Sequence, residues 1–346
     1  MFKILALQRE SHVAYGVPSL SVSARITEVL DYLHDQGKVT FISVSESDPA
    51  VLNAVKWCDT LIMSKHNSKL ALNITIHARK LRKKIIYDID DWIFSFPDYS
   101  GASDQKEKIE FAKDIIELAN HVTVANEVLK KAVEKKWKAV TLLQNGMYIE
   151  KYRHPEFLDF IEPPPPKIVF ANADSFKLHS RKEQLLAALQ EFFITHPKYI
   201  LDYYGDPIPE LFMLPFMHFT KRVPYNEFIR MLLAGGYQFA ISPLGAEEDA
   251  ASLFFNRCKN PFKYLNYGTT GIPGIYSSTP IYTEVVKQDI TGLLVHNTFE
   301  DWLETLHRLS DDEALRGTIR KAAHDDIKNN HHISKPASVL LGLLRT

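Results

Sequence analysis

The sequence predicts an α/β protein built from two doubly wound parallel sheets, and three observations predict it. Short apolar runs of strand length alternate with amphipathic runs of helix length along most of the chain. That is the pattern of parallel strands joined by helical crossovers. The alternation is interrupted at Pro163–Pro166, just after Glu162, where consecutive prolines can continue neither a helix nor a central strand and make a stiff spacer. At 346 residues the chain is long enough to give each side of that break its own core. The expected division is therefore a first domain over 1–162, a second over 163–330, and a terminal helix over 331–346 that can cross back to the first.

Taken in order, Phe2–Leu7 opens the chain as a buried strand. Ala24–Leu33 follows as a helix, because Ile26, Val29, Leu30 and Leu33 recur on one face. Val39–Val44 and Thr60–Met63 read as strands around a short helix at Val51–Trp57. Leu70–Leu81 is helical, and Lys84–Tyr87 is a strand that runs out on Asp88-Ile89-Asp90-Asp91. A helix over Lys106–Asn120, a strand at His121–Ala125, a helix over Glu127–Lys135 and a strand at Val140–Leu143 complete the first half, which closes on Gln144-Asn145-Gly146.

Beyond the prolines the same grammar restarts. Lys167–Ala171, Ile200–Tyr204 and Phe239–Ile241 are strands, and Arg181–Thr195 and Tyr225–Ala234 are helices. Asn260 is placed to cap a helix whose first position suits Pro261. In that helix Phe262, Leu265 and Thr269 face a core while Lys263 and Asn266 share the other face. Gly271 takes the left-handed closing position and Pro273 blocks continuation. Gly274–Ser277 and Leu293–Val295 are buried strands around a short helix at Ile281–Lys287. Thr298 caps a helix that runs to Leu309, and helices over Asp311–Asn329 and Lys335–Leu344 follow.

Composition excludes several classes. A hydrophobic share of 45% and a charged share of 24% are those of a soluble globular chain. A formal net charge of −1 gives no general pull toward nucleic acid. Cys58 and Cys258 are too far apart in sequence for a metal-spaced cluster, which suits a reducing cytoplasm. Phe2–Leu7 is too short for a signal peptide, and no apolar run approaches the ~20 residues of a membrane span. Gly268, Gly271 and Gly274 follow a helix, whereas a dinucleotide fingerprint places its glycine turn before one, which argues against a nicotinamide dehydrogenase. His77–Lys84 and the lysines around Trp137 concentrate positive charge. An ordinary solvated helix face is the first explanation for them, and a peripheral contact with the inner face of a membrane is the second.

The run K-x-x-x-K-Y-L-N-Y-G-x-x-G-I-P over Lys259–Pro273, followed by Y-x-E-V-V at Tyr282–Val286 and T-G-L-L-V at Thr291–Val295, resembles the donor-binding half of GT-B glycosyltransferases. The similarity is to the retaining group that builds bacterial polysaccharides from nucleotide sugars. It implies two Rossmann-like domains facing each other across a cleft, with the donor on the second and the acceptor on the first. It implies transfer of a sugar from a nucleoside diphosphate to a hydroxyl of a glycan or a lipid-linked acceptor, with no metal cofactor. That group usually carries a Glu–seven residues–Glu pattern, and this chain has Cys258 and Asn266 at the two positions. The rivals are a nucleotide-sugar epimerase of the same architecture and a non-catalytic nucleotide-sugar-binding relative.

Candidate residues follow from the chemistry of a diphosphate leaving group. Lys259 and Lys263 offer ammonium groups near a helix start, where the dipole also favours an anion. Lys182, with Arg181 and Lys177 as rivals, matches the position from which relatives reach the diphosphate with a cation. Asn266 can hydrogen-bond ribose hydroxyls where relatives use Glu, and Glu247 can grip the sugar. In the first domain three carboxylates crowd one strand end, an arrangement that shifts pKa values and often marks a site. Asp90 or Asp91 is placed there to orient the acceptor hydroxyl or take its proton, with a helix cap or an Asp-x-Asp metal site as alternatives. In the loop Arg9–Pro18, His12 is a candidate acceptor-side base, and Gly16 allows close approach of a phosphate or sugar.

Overall fold

The structure is a computed structural model that describes residues 1–9, 19–97, 105–152, 165–172, 181–245 and 249–346. His12, Gly16, Lys177, Glu247 and the spacer up to Pro164 lie outside the described residues. The chain forms two compact units. The first gathers Met1–Tyr148, Arg257–Asn260 and His332–Thr346, and the second gathers Ile149–Asn256 and Pro261–His331.

In the first unit the strands are β1 (Phe2–Gln8), β2 (Val39–Ser45), β3 (Thr60–Ser64), β4 (Lys84–Ile89), β5 (His121–Val124) and β6 (Val140–Leu142). All pair in parallel, in the order β2-β1-β3-β4-β5-β6. The connecting helices are α1 (Glu28–Asp35), α2 (Val51–Trp57), α3 (Lys69–Lys80), α4 (Lys106–Leu118) and α5 (Glu127–Val133). A widened π-helical turn over Val22–Thr27 leads into α1 and turns Arg25 inward, where it is buried. β3 and most of β4 are buried along their length, as expected of strands covered on both faces. Helix α13 (Ser334–Arg345) packs with α1, and Ile333, Ala337, Leu340 and Leu344 enter the same core as Ile4, Val22, Ile26 and Leu30.

In the second unit the strands are β7 (Lys167–Asn172), β8 (Ile200–Gly205), β9 (Met217–Thr220), β10 (Tyr237–Ser242), β11 (Gly274–Ser277) and β12 (Leu293–Val295). They form a parallel sheet in the order β12-β11-β10-β7-β8-β9. The helices are α6 (Lys182–Thr195), α7 (Tyr225–Ala234), α8 (Ala250–Arg257), α9 (Phe262–Thr269), α10 (Pro280–Thr283), α11 (Phe299–Asp311) and α12 (Glu313–Asn330). Trp302, Phe192, Phe170 and Tyr203 are fully buried in its core. Among the described residues no helix is long and apolar enough to cross a membrane.

Three expectations change. Asn260 does not cap α9, which starts after Pro261 with no side-chain cap; Asn260 is held instead within the first unit. The helix expected over Ile281–Lys287 is shorter, because the chain after Thr283 closes into a turn in which the Thr291 hydroxyl accepts from the Lys287 N–H. Asn266 does not lie on an exposed face. Helix α9 is buried nearly all round, since α12 approaches so closely that a Cβ on Gly268 would meet Ile327 at 2.6 Å.

Candidate functional site

Parallel α/β sheets bind ligands outside the carboxyl ends of their strands, where the strand order reverses. The first unit reverses between β1 and β3, and the second between β7 and β10. Both reversal points carry polar side chains that the surrounding chain has fixed in place.

In the first unit Asp88 lies at the heart of the β4 end, fully buried. Arg25 grips it with two hydrogen bonds, Nε to Oδ2 at 2.9 Å and Nη2 to Oδ1 at 2.7 Å. Ser64 donates to the same carboxylate at 2.9 Å and Thr123 at 2.8 Å. Arg25 also donates to the Leu143 carbonyl at 2.9 Å and to the Asn145 side chain. Burial alone pulls the guanidinium down; Asp88 first, with Asp90 and Asp91 behind it, more than restores it, so the net shift is upward. Asp88 is thus a structural hub whose lone pairs are taken.

Asp90 and Asp91 are brought together, but by a cation the sequence reading did not single out. Lys65 follows β3 with a left-handed φ of 53°, and its ammonium sits 2.8 Å from Asp90 Oδ1 and 2.9 Å from Asp91 Oδ2. Arg9 donates to the Lys65 carbonyl at 2.7 Å, tying the ends of β1 and β3 together at the reversal point. Burial pushes the Asp90 carboxyl up, and Asp91 beside it adds to that, while Lys65 pulls it back. The same two acids hold the Lys65 ammonium above its ordinary range despite its burial. Asn260 donates to the Asp90 carbonyl at 2.6 Å and accepts from Asn145 at 2.7 Å. The neighbouring carbonyl of Lys259 accepts from Asn126 at 3.1 Å. Lys259 is 8% exposed and belongs to the first unit, apart from Lys263 and Asn266 in the second.

His66, next to this cluster, is completely buried, and its two ring nitrogens have no hydrogen-bond partner among the described residues. Burial first, and then the Arg9 guanidinium, pull its pKa down to about 3. It is a neutral imidazole at any ordinary pH.

In the second unit β7 ends on Asn172, which is 4% exposed and whose side-chain NH2 has no partner among the described residues. Thr279, after β11, is likewise buried with an unpartnered hydroxyl. Buried polar atoms are normally satisfied, so such exceptions call for an explanation. Gly205 ends β8 at a φ of 145°, and a Cβ there would lie 1.9 Å from the Asn172 carbonyl oxygen, a place only glycine fits. Arg222 clamps Asp206 through Nε at 2.8 Å and Nη2 at 2.6 Å, fixing the loop beyond β9.

Tyr225, at the start of α7, donates to Asn266 Oδ1 at 2.9 Å. The Lys263 ammonium lies 5.2 Å from the centre of the Phe228 ring on α7, within cation–π range. Lys182 starts α6 and pairs with Glu210, so a phosphate there would compete with a carboxylate. The exit of β10 is pinned on all sides. Leu244 N–H donates to Ser277 Oγ at 2.7 Å, Asn297 donates to the Leu244 carbonyl at 3.0 Å, and Asn256 to the Gly245 carbonyl at 3.0 Å.

The described chain therefore groups Lys263 and Asn266 with α7, keeps Lys182 on Glu210, and groups Lys259 with the Asp90 and Asp91 side of the first unit. Arg25, Lys65, Asn172 and Tyr225 were not picked out from sequence. A lone arginine in an apolar helix face and a lysine directly after a buried strand were the available signals for the first two.

No family model and no curated protein matches the chain. Solved structures do. HepE of Anabaena, in complex with UDP-glucose, matches at 14% identity and a TM-score of 0.67, covering 100% of both chains. Sucrose-phosphate synthase from Thermosynechococcus elongatus matches at 13% identity and a TM-score of 0.66, covering 100% of this chain and 98% of its own. The chain has the fold of the GT-B glycosyltransferases. A putative UDP-N-acetylglucosamine 2-epimerase from Listeria monocytogenes is similar as well, at 11% identity, a TM-score of 0.58, and 99% and 96% coverage. At these identities the likeness speaks to the GT-B architecture alone.

Proposed function

We propose that the protein is a nucleotide-sugar-dependent glycosyltransferase that transfers a sugar to a hydroxyl of a glycan or lipid-linked acceptor. The observation that carries the reading is the carboxyl edge of the second sheet. There the Asn172 amide and the Thr279 hydroxyl are buried without partners among the described residues, and Gly205 lets the backbone of β8 lie directly against the Asn172 carbonyl. Such atoms suit a ligand rich in oxygen, and a nucleoside diphosphate sugar is one. That HepE of the same fold was solved with UDP-glucose supports this choice.

On this reading Lys263 is the cation that offsets the departing diphosphate, with Lys182 as a second cation once Glu210 is displaced. Asn266, held by Tyr225, presents its amide toward ribose hydroxyls. Asp90 and Asp91 are the acceptor-side carboxylates, and His12 and Gly16 of the loop Arg9–Pro18 are assigned to the same acceptor side. The Lys65 ammonium already occupies the place between Asp90 and Asp91 that a cation would take, which favours a reaction without a metal. Lys259, Glu247 and a cytoplasmic setting complete the proposal.

The test is a thermal-shift screen with UDP, GDP, CMP and dTDP sugars, since a ligand that binds only the native state raises its melting temperature. One nucleotide class should raise it, and Lys263→Ala should abolish the rise. A Lys263→Ala protein that responds like the wild type overturns the donor assignment. The epimerase reading, favoured by the Listeria neighbour, predicts conversion of the donor with no acceptor present; transfer that requires an acceptor excludes it.

A further inference from the structure

Among the described residues, one group of three His, Cys, Asp or Glu side chains brings its ligand atoms within 4.8 Å of one another: His196, His307 and Asp311. It lies where the residue that follows α6 meets the last turn of α11, and it includes none of Asn172, Lys263 and Asn266. We propose that these three residues form a binding site for a divalent transition-metal ion of the zinc class, a clip between the ends of α6 and α11.

The donor set decides the class of ion. Two imidazoles and one carboxylate are borderline ligands that suit zinc, cobalt, nickel or copper; magnesium and calcium take oxygen sets. His307 and Asp311 are four residues apart on α11 and therefore project from the same face. His196 comes from the other helix, and its Nε2 lies 3.2 Å from Asp311 Oδ1. Ligand atoms around a tetrahedral zinc stand about 3.4 Å apart, so this pair is already at the required spacing.

The surroundings fix the His196 ring. It stacks on Phe192 with centroids 4.4 Å apart and planes 6° from parallel. Its Nδ1 lies 3.0 Å from the Thr195 hydroxyl. When Nε2 binds a metal, Nδ1 carries the proton and donates to that hydroxyl, the outer contact that metal-binding histidines need. Ser310 donates to Asp311 Oδ1 at 2.9 Å and orients the carboxylate in the same way. Access is open, since the Asp311 side chain is 69% exposed. The two thiols that could compete for zinc, Cys58 and Cys258, are both buried, and burial raises them to about 11 and about 12.

The test uses the full chain freed of metal by chelation and titrated with zinc, then separately with magnesium, by calorimetry and by melting temperature. Zinc should bind at one ion per chain and raise the melting temperature; magnesium should do neither. His307→Ala and Asp311→Asn should each weaken zinc by at least about tenfold. Asp311→Asn alters an exposed side chain, so its melting temperature in chelator should equal the wild type's and it serves should His307→Ala fail to fold. The proposal is overturned if zinc does not bind, if magnesium binds equally well, or if Asp311→Asn binds zinc like the wild type. None of these outcomes depends on nucleotide binding, so this proposal and the donor reading stand or fall separately.

Discussion

Replacing Asp88 with Asn keeps the shape of the side chain and removes its charge, and the structure sets what that should cost. The Arg25 side chain is 1% exposed and Asp88 0%. Four hydrogen bonds converge on the one carboxylate, two from Arg25 and one each from Ser64 and Thr123. With Asn at 88, one of the two oxygens that Arg25 grips becomes an NH2 group, so Arg25 keeps the amide oxygen, the Leu143 carbonyl and the Asn145 side chain. Its buried charge loses its paired carboxylate and retains only the attraction of Asp90 and Asp91. Breaking a buried pair in this way costs about 3–5 kcal/mol. The new amide NH2 also faces donors where there was an acceptor, which adds about 1–3 kcal/mol. Against a total of about 5–15 kcal/mol for a folded domain, the first unit should be close to unfolding. Urea titration followed by tryptophan fluorescence reads that unit, because Trp57, Trp92 and Trp137 lie in it and only Trp302 in the other. The double variant Arg25→Met with Asp88→Leu should cost less than Asp88→Asn alone, since it removes both charges together. A loss below about 1 kcal/mol for Asp88→Asn, or a double variant as damaging as the sum of its parts, would refute the hub.

Other outcomes follow from the same geometry. His66 has a folded pKa of about 3, below its ordinary value, so its contribution is complete above about pH 6.5 and is lost as pH falls toward 3; the ceiling is about 4–5 kcal/mol. Urea midpoints measured between about pH 7 and 4 should fall for the wild type and fall less for His66→Asn; parallel curves would contradict this. Gly205→Ala should cost more than about 2 kcal/mol, combining about 1–3 kcal/mol of backbone strain with the clash on the Asn172 carbonyl, and a melting curve like the wild type's would show that the contact relaxes. Tyr225→Phe leaves the Asn266 carbonyl without its donor and should cost about 1–3 kcal/mol while weakening nucleotide binding. An unchanged affinity would separate Asn266 from the donor.

Much of the fold was readable because it is written locally. Val51–Trp57, Tyr225–Ala234, Gly274–Ser277 and Leu293–Val295 were bounded to the residue, each flanked by turn formers or polar residues. Thr298 caps α11 as its place before the periodic run suggested, accepting from Asp301 N–H. β9 and α8 were missed. Met217–Thr220 is a four-residue edge strand with no clear alternation, and Ala250–Arg257 starts behind Asp249, whose caps on Ala251 and Ser252 were hidden in an acidic run. The site was legible in part. Three acids at one strand end are visible in sequence; that Asp88 is spent on Arg25, 63 residues away, is not. Nor is the burial of Asn266, whose side chain accepts from Tyr225 of α7, more than forty residues earlier in the chain.

The route of the chain bears on how the protein is made. Its first core takes in Ile4 near one end and Leu340 and Leu344 near the other, and Gly146 packs directly against Ile333 and Pro336. While the ribosome is still adding residues 150–330, the opening half has its strands but lacks the apolar plug that seals α1. The second sheet can finish during synthesis; the first must wait, with sticky surface showing, until the closing helix emerges. A nascent chain stalled before Ser334 should therefore recruit chaperones through its earliest segment, not its newest.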